Sequence, residues 1–261
     1  MTSRLYQVPD IVVTKKICDN SKGVVTMPNW CENDLKVMSR TKTGLQKFMK
    51  AVACKDDDTV FKISNIVPIP QSLRDVSAGS EESLYEILHG TEEQFNSFKK
   101  LVKLSGDRES VFEEYVTNKW SGPIQLESKS MVINSELSGA DKMVMAKKLV
   151  EVYKHNVDVY GHLTWYSWCV ENWGTKWDVA EANVDEISLS KSGKAYSVLY
   201  NFETAWSPPT RAILSMSQLY TDLIFKLRYY ERGCGFKGMF TVRGGAIMKD
   251  ETFDYNGPRG G

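Results

Sequence analysis

The stretch AYSVLYNF, from Ala195 to Phe202, decides the fold class, because its apolar and polar residues alternate as in a half-buried strand. Two prolines end this extended segment, and Thr210–Leu223 then carries apolar residues at helical spacing. Two further strand patterns follow at Ile224–Tyr230 and Phe236–Arg243, separated by a glycine-containing turn. The order strand, helix, strand, strand mixes helices and strands along the chain, as in an α+β domain.

The preceding sequence divides into segments of different character. NDLKVMS, from Asn33, alternates like a strand, and Thr43–Val52 has the spacing of an amphipathic helix. The middle of the chain is mostly helical in pattern, most clearly at Ala140–Tyr153, with loops expected at Gly122-Pro123 and near Ser128. We therefore predict an N-terminal extension (1–26), a first α+β segment (27–74), a mostly helical insertion or lobe (75–156), a second α+β segment (157–245) and a C-terminal tail (246–261).

Composition limits the cellular setting and the class of partner. Lysine plus arginine and aspartate plus glutamate number 33 each, so no net field steers the chain toward polyanions. No apolar run reaches the roughly 18 residues of a membrane-spanning helix. The N-terminal residues also lack the apolar core and cleavage site of a signal peptide. We therefore expect no membrane association and a location in the cytoplasm.

Five segments of the chain carry a resemblance to one protein family. They are MPNWCEN (Met27–Asn33), FKISNIVPIP (Phe61–Pro70), WCVENWGTKWDV (Trp168–Val179), FETAWSPP (Phe202–Pro209) and YYERGCGFKGMFTVRGG from Tyr229. The segments resemble the YubB-like proteins with a ferredoxin-like domain, which bacteriophages and conjugative plasmids carry. The resemblance covers about half of the chain. It implies a ferredoxin-like α+β fold, with helices on one face of an antiparallel sheet, in the cytoplasm of a host bacterium, but no established reaction.

The most distinctive candidate site is a tryptophan-rich segment, which has four tryptophans within thirteen residues from Trp165. Aromatic faces stack on bases at about 1–3 kcal/mol per base. A lysine among them could meet a phosphate, and carboxylate or amide side chains could contact a base edge. The candidate ligand- or partner-binding residues are Trp168, Glu171, Asn172, Trp173, Lys176, Trp177, Asp178, Glu203 and Trp206, the last two joining the site if their strand lies beside it.

A structural interpretation competes with this site. Tryptophans commonly anchor the core of a small sheet-and-helix domain. Asn172, Thr175 and Asp178 are residue types that cap helices and satisfy loop backbone. On this interpretation the tryptophans are buried and their polar neighbours bind only the chain itself.

The sequence offers little for catalysis or for cofactors. The three histidines form no HxxxH or HxH pair, and the five cysteines form no CxxC pair. The glycines around Gly233 lack the following helix of a dinucleotide fingerprint, and no GxSxG or Walker-type loop occurs. We therefore predict no catalytic residues, no metal site and no cofactor.

Two functional hypotheses follow. The first is an accessory protein of a bacteriophage or mobile element that binds a host or defence-system protein, as in counter-defence. The second is a binder of a nucleotide or of single-stranded nucleic acid, which would use the tryptophan-rich segment and could sequester a signalling nucleotide.

Overall fold

A six-stranded antiparallel sheet and eight α-helices form the protein in the computed structural model, which describes residues 29–54, 58–127, 129–189 and 196–257. The extension predicted for 1–26 lies outside these residues. In chain order the elements are β1 (Trp30–Ser39), α1 (Lys42–Val52), a 3-10 turn (Ile63–Asn65), α2 (Gln71–Arg74), α3 (Glu82–His89), α4 (Glu92–Val102), α5 (Arg108–Asn118), β2 (Gly122–Leu126), β3 (Lys129–Ile133), α6 (Gly139–Tyr160), α7 (Trp165–Trp173), β4 (Ala180–Leu189), β5 (Tyr196–Ala205), α8 (Thr210–Leu219), β6 (Ile224–Glu231), β7 (Phe236–Arg243) and β8 (Ala246–Asp254).

Strand β1 occupies the centre of the sheet, between β5 and β6. Its side chains alternate strictly between buried and half-exposed, as the sequence predicts. Cys31, Leu35 and Val37 are fully buried beneath the helices, whereas the even-numbered residues between them lie on the opposite face. No helix of the described residues packs on that opposite face, which we call the open face.

The sheet has the ferredoxin-like arrangement that the resemblance implies. In chain order β1, α1, β4, β5, α8 and β6 make a β-α-β-β-α-β unit, and the sheet order β4-β5-β1-β6 places β5 and β1 between the outer two strands. Strands β7 and β8 extend the sheet beyond β6. The predicted α+β fold, with an antiparallel sheet and helices on one face, is therefore confirmed.

Helices α1, α7 and α8 cover the other face and enclose one hydrophobic cluster with it. Helix α1 begins at Thr41, whose hydroxyl accepts a hydrogen bond from the Gly44 N–H, and it buries Leu45 and Phe48. The ring of Phe48 packs edge-on against Phe225 of β6 at 5.3 Å. Aromatic packing of this kind fixes the helix on the sheet beyond simple burial of area.

The middle region has a hydrophobic cluster of its own, formed by α3, α4, α5, α6 and the β2–β3 hairpin. Its helical character agrees with the prediction, but Gly122 and Pro123, which were expected in a loop, begin strand β2. The second expected loop centres on Ser128, which lies outside the described residues. The two ends of the region meet at Asn156, whose Nδ2 donates to the Ser72 carbonyl oxygen at 3.2 Å and to the Leu163 carbonyl oxygen at 2.9 Å.

Strand β8 lies within the segment assigned to a C-terminal tail, and it pairs with β7 along its whole length. The described part of that segment therefore belongs to the sheet up to Asp254. All nine residues of β8 are exposed, so the strand lacks the alternation of burial that marks the others. The signal for it is the turn, because Gly244 and Gly245 both have positive φ values, 54° and 78°, as a tight hairpin requires.

We expect replacement of Gly238 on β7 by alanine to destabilise the protein, because a Cβ atom there would lie 2.3 Å from the Tyr229 ring and 2.4 Å from the Glu251 carbonyl oxygen. Overpacking of this kind typically costs about 1–3 kcal/mol of unfolding free energy, measurable by urea denaturation. Gly257→Ala is the control, since nothing lies within 4 Å of its added Cβ. Equal stability of the two variants would contradict the prediction.

Candidate functional site

The tryptophan-rich segment folds as helix α7 followed by a loop. The helix ends at Gly174, which has a φ of 84° and donates its N–H to the Val170 carbonyl oxygen. A glycine in the left-handed conformation is a common helix terminator. Because the chain leaves the helix there, Trp168 and Trp173 stay on α7 while Lys176, Trp177 and Asp178 lie on the loop.

Trp168 and Trp173 are core residues. Their exposed fractions are 9% and 1%, and their rings pack edge to face at 6.0 Å. The indole Nε1 of Trp173 donates to the Val67 carbonyl oxygen at 2.9 Å, which satisfies its only donor. Burial of both rings leaves little surface on which a base could stack, and the binding role of these two residues stays a prediction.

Two polar candidates bind the chain itself. The Asp178 carboxylate accepts backbone hydrogen bonds from Ile63 at 2.7 Å, Ser64 at 3.1 Å and Val179 at 2.9 Å. It thereby caps the 3-10 turn from more than a hundred residues away. Asn172 donates from Nδ2 to the Trp168 carbonyl oxygen, one turn back on α7. These contacts match the structural interpretation of both side chains.

Lys176 and Trp177 instead belong to an exposed group with Trp30 and Tyr166, which we call the aromatic surface. The Lys176 ammonium lies 4.7 Å from the ring centre of Trp177 and 5.0 Å from that of Tyr166. The Trp177 ring in turn contacts Trp30, with ring centres 6.4 Å apart. The three aromatic side chains are 37–43% exposed, so a continuous cation–aromatic face is open to solvent.

The loop lies beside the end of β5. This was the condition on which Glu203 and Trp206 were predicted to join the site. Thr175 donates to the Ala205 carbonyl oxygen at 2.9 Å, and the Ser207 hydroxyl donates to the Gly174 carbonyl oxygen at 2.6 Å. Trp206 has a positive φ of 69° and donates its N–H to the Asn29 carbonyl oxygen. This bond ties the residue after β5 to the residue before β1, where the aromatic surface begins.

Charged residues flank the aromatic surface. The exposed Glu171 carboxylate lies 3.0 Å from His162 Nε2, and its backbone oxygen accepts a hydrogen bond from Arg211. On the open face, Glu32 of β1 pairs with Arg232 at 3.1 Å. The surroundings of the aromatic residues are therefore polar and carry both signs of charge.

Glu203 lies on the open face directly opposite Glu32. Partial burial raises the pKa of Glu203 above its usual value, and the negative charges of Glu181 and Glu32 raise it further. A carboxylate in this setting repels phosphate groups. Within residues 29–54, 58–127, 129–189 and 196–257, no group of three or more His, Cys, Asp or Glu side chains could hold a metal ion.

Trp30 and Tyr166 complete the aromatic surface and were absent from the set of predicted site residues. The signal for Trp30 was present, because the alternation of β1 assigns the even-numbered residues to the open face. No local pattern could have joined it to Tyr166, since the two residues meet only through Lys176 and Trp177. The tryptophan-rich segment therefore contributes Lys176 and Trp177 to the aromatic surface. It contributes Trp168 and Trp173 to the core.

A protein-family model supports the fold of the carboxy-terminal part of the chain. Residues 172–257 match the model of a family described as the ferredoxin-like domain in Api92-like protein. The crystal structure of a protein api92 from Yersinia pseudotuberculosis is 11% identical, with 89% of this chain and 100% of that chain covered and a TM-score of 0.40. No curated protein matches the chain. None of the helices in the described ranges is long and apolar enough to cross a membrane.

We expect Trp173→Ala and Trp177→Ala to differ sharply in stability. Loss of the buried Trp173 side chain leaves a cavity and should cost about 3–5 kcal/mol of unfolding free energy. Loss of the exposed Trp177 side chain should cost about 1 kcal/mol or less. Urea unfolding followed by circular dichroism measures both values. Similar losses for the two variants would place Trp177 in the core and remove the aromatic surface.

The raised pKa of Glu203 predicts that the substitution Glu203→Gln increases the stability of the protein in a pH-dependent way. The native protein holds the Glu203 proton more tightly than the unfolded chain does, so ionisation of this residue disfavours folding as the pH rises past 4.5, the ordinary value. The variant should therefore unfold at higher urea than the wild type at pH 7 and at the same urea at about pH 3.

Salt provides the control for this pH effect. Added salt at about 1 M screens the repulsion from Glu32 and Glu181 and should shrink the difference at pH 7. A variant that is equally stable or less stable than the wild type at pH 7 would show that neither the partial burial of Glu203 nor the charges of Glu181 and Glu32 disfavour its ionisation appreciably.

Proposed function

We propose that this chain is a non-enzymatic binding protein that holds a protein partner through the aromatic surface. One observation carries the proposal, namely that Trp30, Tyr166 and Trp177 are each more than a third exposed while they form one continuous group around Lys176. Large aromatic side chains in solvent are costly to maintain, and a contiguous set of them is typical of an interaction site.

The composition of this region suits a protein partner. Tryptophan and tyrosine are enriched at the centres of protein interfaces, where a few residues contribute most of the binding free energy. The rim of such interfaces is polar. Here the ion pair of Glu32 and Arg232 lies on the strand face that Trp30 also occupies and supplies both signs of charge.

A nucleotide or single-stranded nucleic acid is the second candidate, because Lys176 beside exposed rings could hold a phosphate next to a stacked base. Charge favours the protein partner. Binding to polyanions requires a basic groove, whereas Glu32, Glu181 and Glu203 lie together on the adjoining face. The loss of Trp168 and Trp173 to the core also leaves fewer rings for stacking.

The biological setting that we propose comes from the sequence resemblance to YubB-like proteins of bacteriophages and conjugative plasmids. An accessory protein of such an element acts in the cytoplasm of its host bacterium, and its partner would be a host or defence-system protein. The similarity of residues 172–257 to Api92-like proteins supports the ferredoxin-like domain, and the proposed setting rests on the sequence resemblance alone.

The proposal is tested by site-specific photo-crosslinking in the bacterium that carries the gene. A photo-reactive phenylalanine analogue at Tyr166 should capture one defined protein. The same analogue at Leu101, which is 80% exposed on α4 and distant in sequence, should not. Trp30→Ala and Trp177→Ala should each weaken binding of the captured protein about tenfold or more, measured by calorimetry, whereas Leu101→Ala should leave it unchanged.

The same variants separate the alternatives. Mono-, di- and cyclic nucleotides and short oligonucleotides are added in a thermal-shift assay, where binding to the folded protein raises its melting temperature. A shift that Trp177→Ala and Lys176→Ala abolish would replace the protein partner with a nucleotide or nucleic acid. Capture that is equal at Tyr166 and Leu101, or binding that survives both tryptophan variants, would overturn the proposal.

A further inference from the structure

Strand β8 is the last strand in the sheet order, so no other described strand pairs with its outer edge. Each of its nine residues from Ala246 to Asp254 is exposed. Ile247, Met248 and Phe253, which are apolar, are 39%, 64% and 48% exposed. An edge strand presents a row of backbone N–H and C=O groups to which another strand can pair.

The direction of those backbone groups follows from the pairing with β7. Tyr255 donates its N–H to Gly235 in the register in which Asp254 lies opposite Phe236. Because hydrogen-bonded pairs alternate along an antiparallel ladder, the odd-numbered residues from Lys249 to Phe253 bond to β7, and the register shift beside Thr241 ends this alternation before Lys249. The backbone groups of Asp250 and Thr252 therefore point outward, away from the sheet.

The sequence of β8 is complementary to itself in one antiparallel register. When a two-fold axis passes through Asp250, Lys249 lies opposite Glu251 of a second copy, and Glu251 lies opposite its Lys249. Ile247 lies beyond the register shift between β7 and β8, so it is on the other face of the strand from Lys249, Glu251 and Phe253 and takes no part in this complementarity. Opposite charges placed across neighbouring strands stabilise a sheet. Asp250 meets its own copy, a single like-charge contact set against two ion pairs.

The other edge of the sheet lacks this complementarity. Strand β4, with the sequence AEANVDEISL, has three acidic residues and no basic residue. It also departs from regular register at two places, whereas β8 departs at one place near its start. Two copies joined through β4 would bring carboxylates together, and its irregular pairing twists the edge away from a partner.

We propose that two copies of this chain pair through β8, which joins their six-stranded sheets into one continuous sheet across a two-fold axis. Such an interface is isologous, since each copy presents the same strand to the other. Lys249 and Glu251, which form an ion pair at 3.1 Å along one strand, exchange partners across the interface. The aromatic surface lies beside the opposite part of the sheet, so the dimer leaves both copies of it accessible.

Sedimentation velocity of the full chain tests this pairing. The wild-type protein should reach twice its chain mass of 29.6 kDa as the concentration rises through the micromolar range. Glu251→Lys places lysine opposite lysine and should raise the dimer dissociation constant about tenfold or more. The double variant Lys249→Glu, Glu251→Lys restores opposite charges and should return that constant to within about threefold of the wild-type value.

A backbone variant and a control complete the test. Asp250→Pro removes an N–H that points outward while the bonds to β7 remain, so it should abolish the dimer and leave the circular dichroism spectrum unchanged. Glu186→Lys on β4 should have no effect on the dimer. The proposal is overturned by a wild-type protein that stays at 29.6 kDa throughout, by a double variant as weak as the single one, or by a dimer that persists in Asp250→Pro.

Discussion

The structure depends on the pairing of β1 along both of its edges. Because side chains alternate along a strand, the register of β1 with β5 and β6 decides which residues enter the core. Leu35 and Val37 face the helices, and Glu32 faces the open side with Glu203 and Tyr230 opposite it. A shift of one residue would move both apolar side chains into solvent. The same register fixes Trp30 at the margin of the open face, beside Trp177.

The fold could be predicted from the sequence for those strands and helices that bury only one of their faces. Strand β7 was predicted with its observed bounds, since FKGMFTVR alternates and ends at a pair of glycines. Helix α8 is shorter than its apolar spacing suggests, because the chain turns at Tyr220 although Leu223 remains buried. The β2–β3 hairpin and β8 were missed for a common reason. Their residues are largely exposed or belong to the small second cluster, so period-two burial is weak in their sequences.

The candidate site could be predicted only in part, because the sequence alone does not show which of several similar residues face solvent. The four tryptophans from Trp165 to Trp177 look equivalent in the sequence, yet the end of α7 at Gly174 separates them. Trp173 turns inward to the Val67 carbonyl, and Trp177 is carried outward by the loop. Asp178 looks like a ligand-binding residue and instead holds a turn formed by residues far away in the chain.

The bonds from Asn156 to Ser72 and Leu163 have a consequence for the order in which the chain folds. Trp30 pairs with Ala205, so at about 5–20 residues per second β1 leaves the ribosome roughly ten seconds or more before its first neighbour is complete. The helical middle region has mainly local contacts and folds quickly. Once Asn156 closes its ends, the chain between α1 and α7 behaves as a short link, and the cost in entropy of bringing β5 to β1 falls.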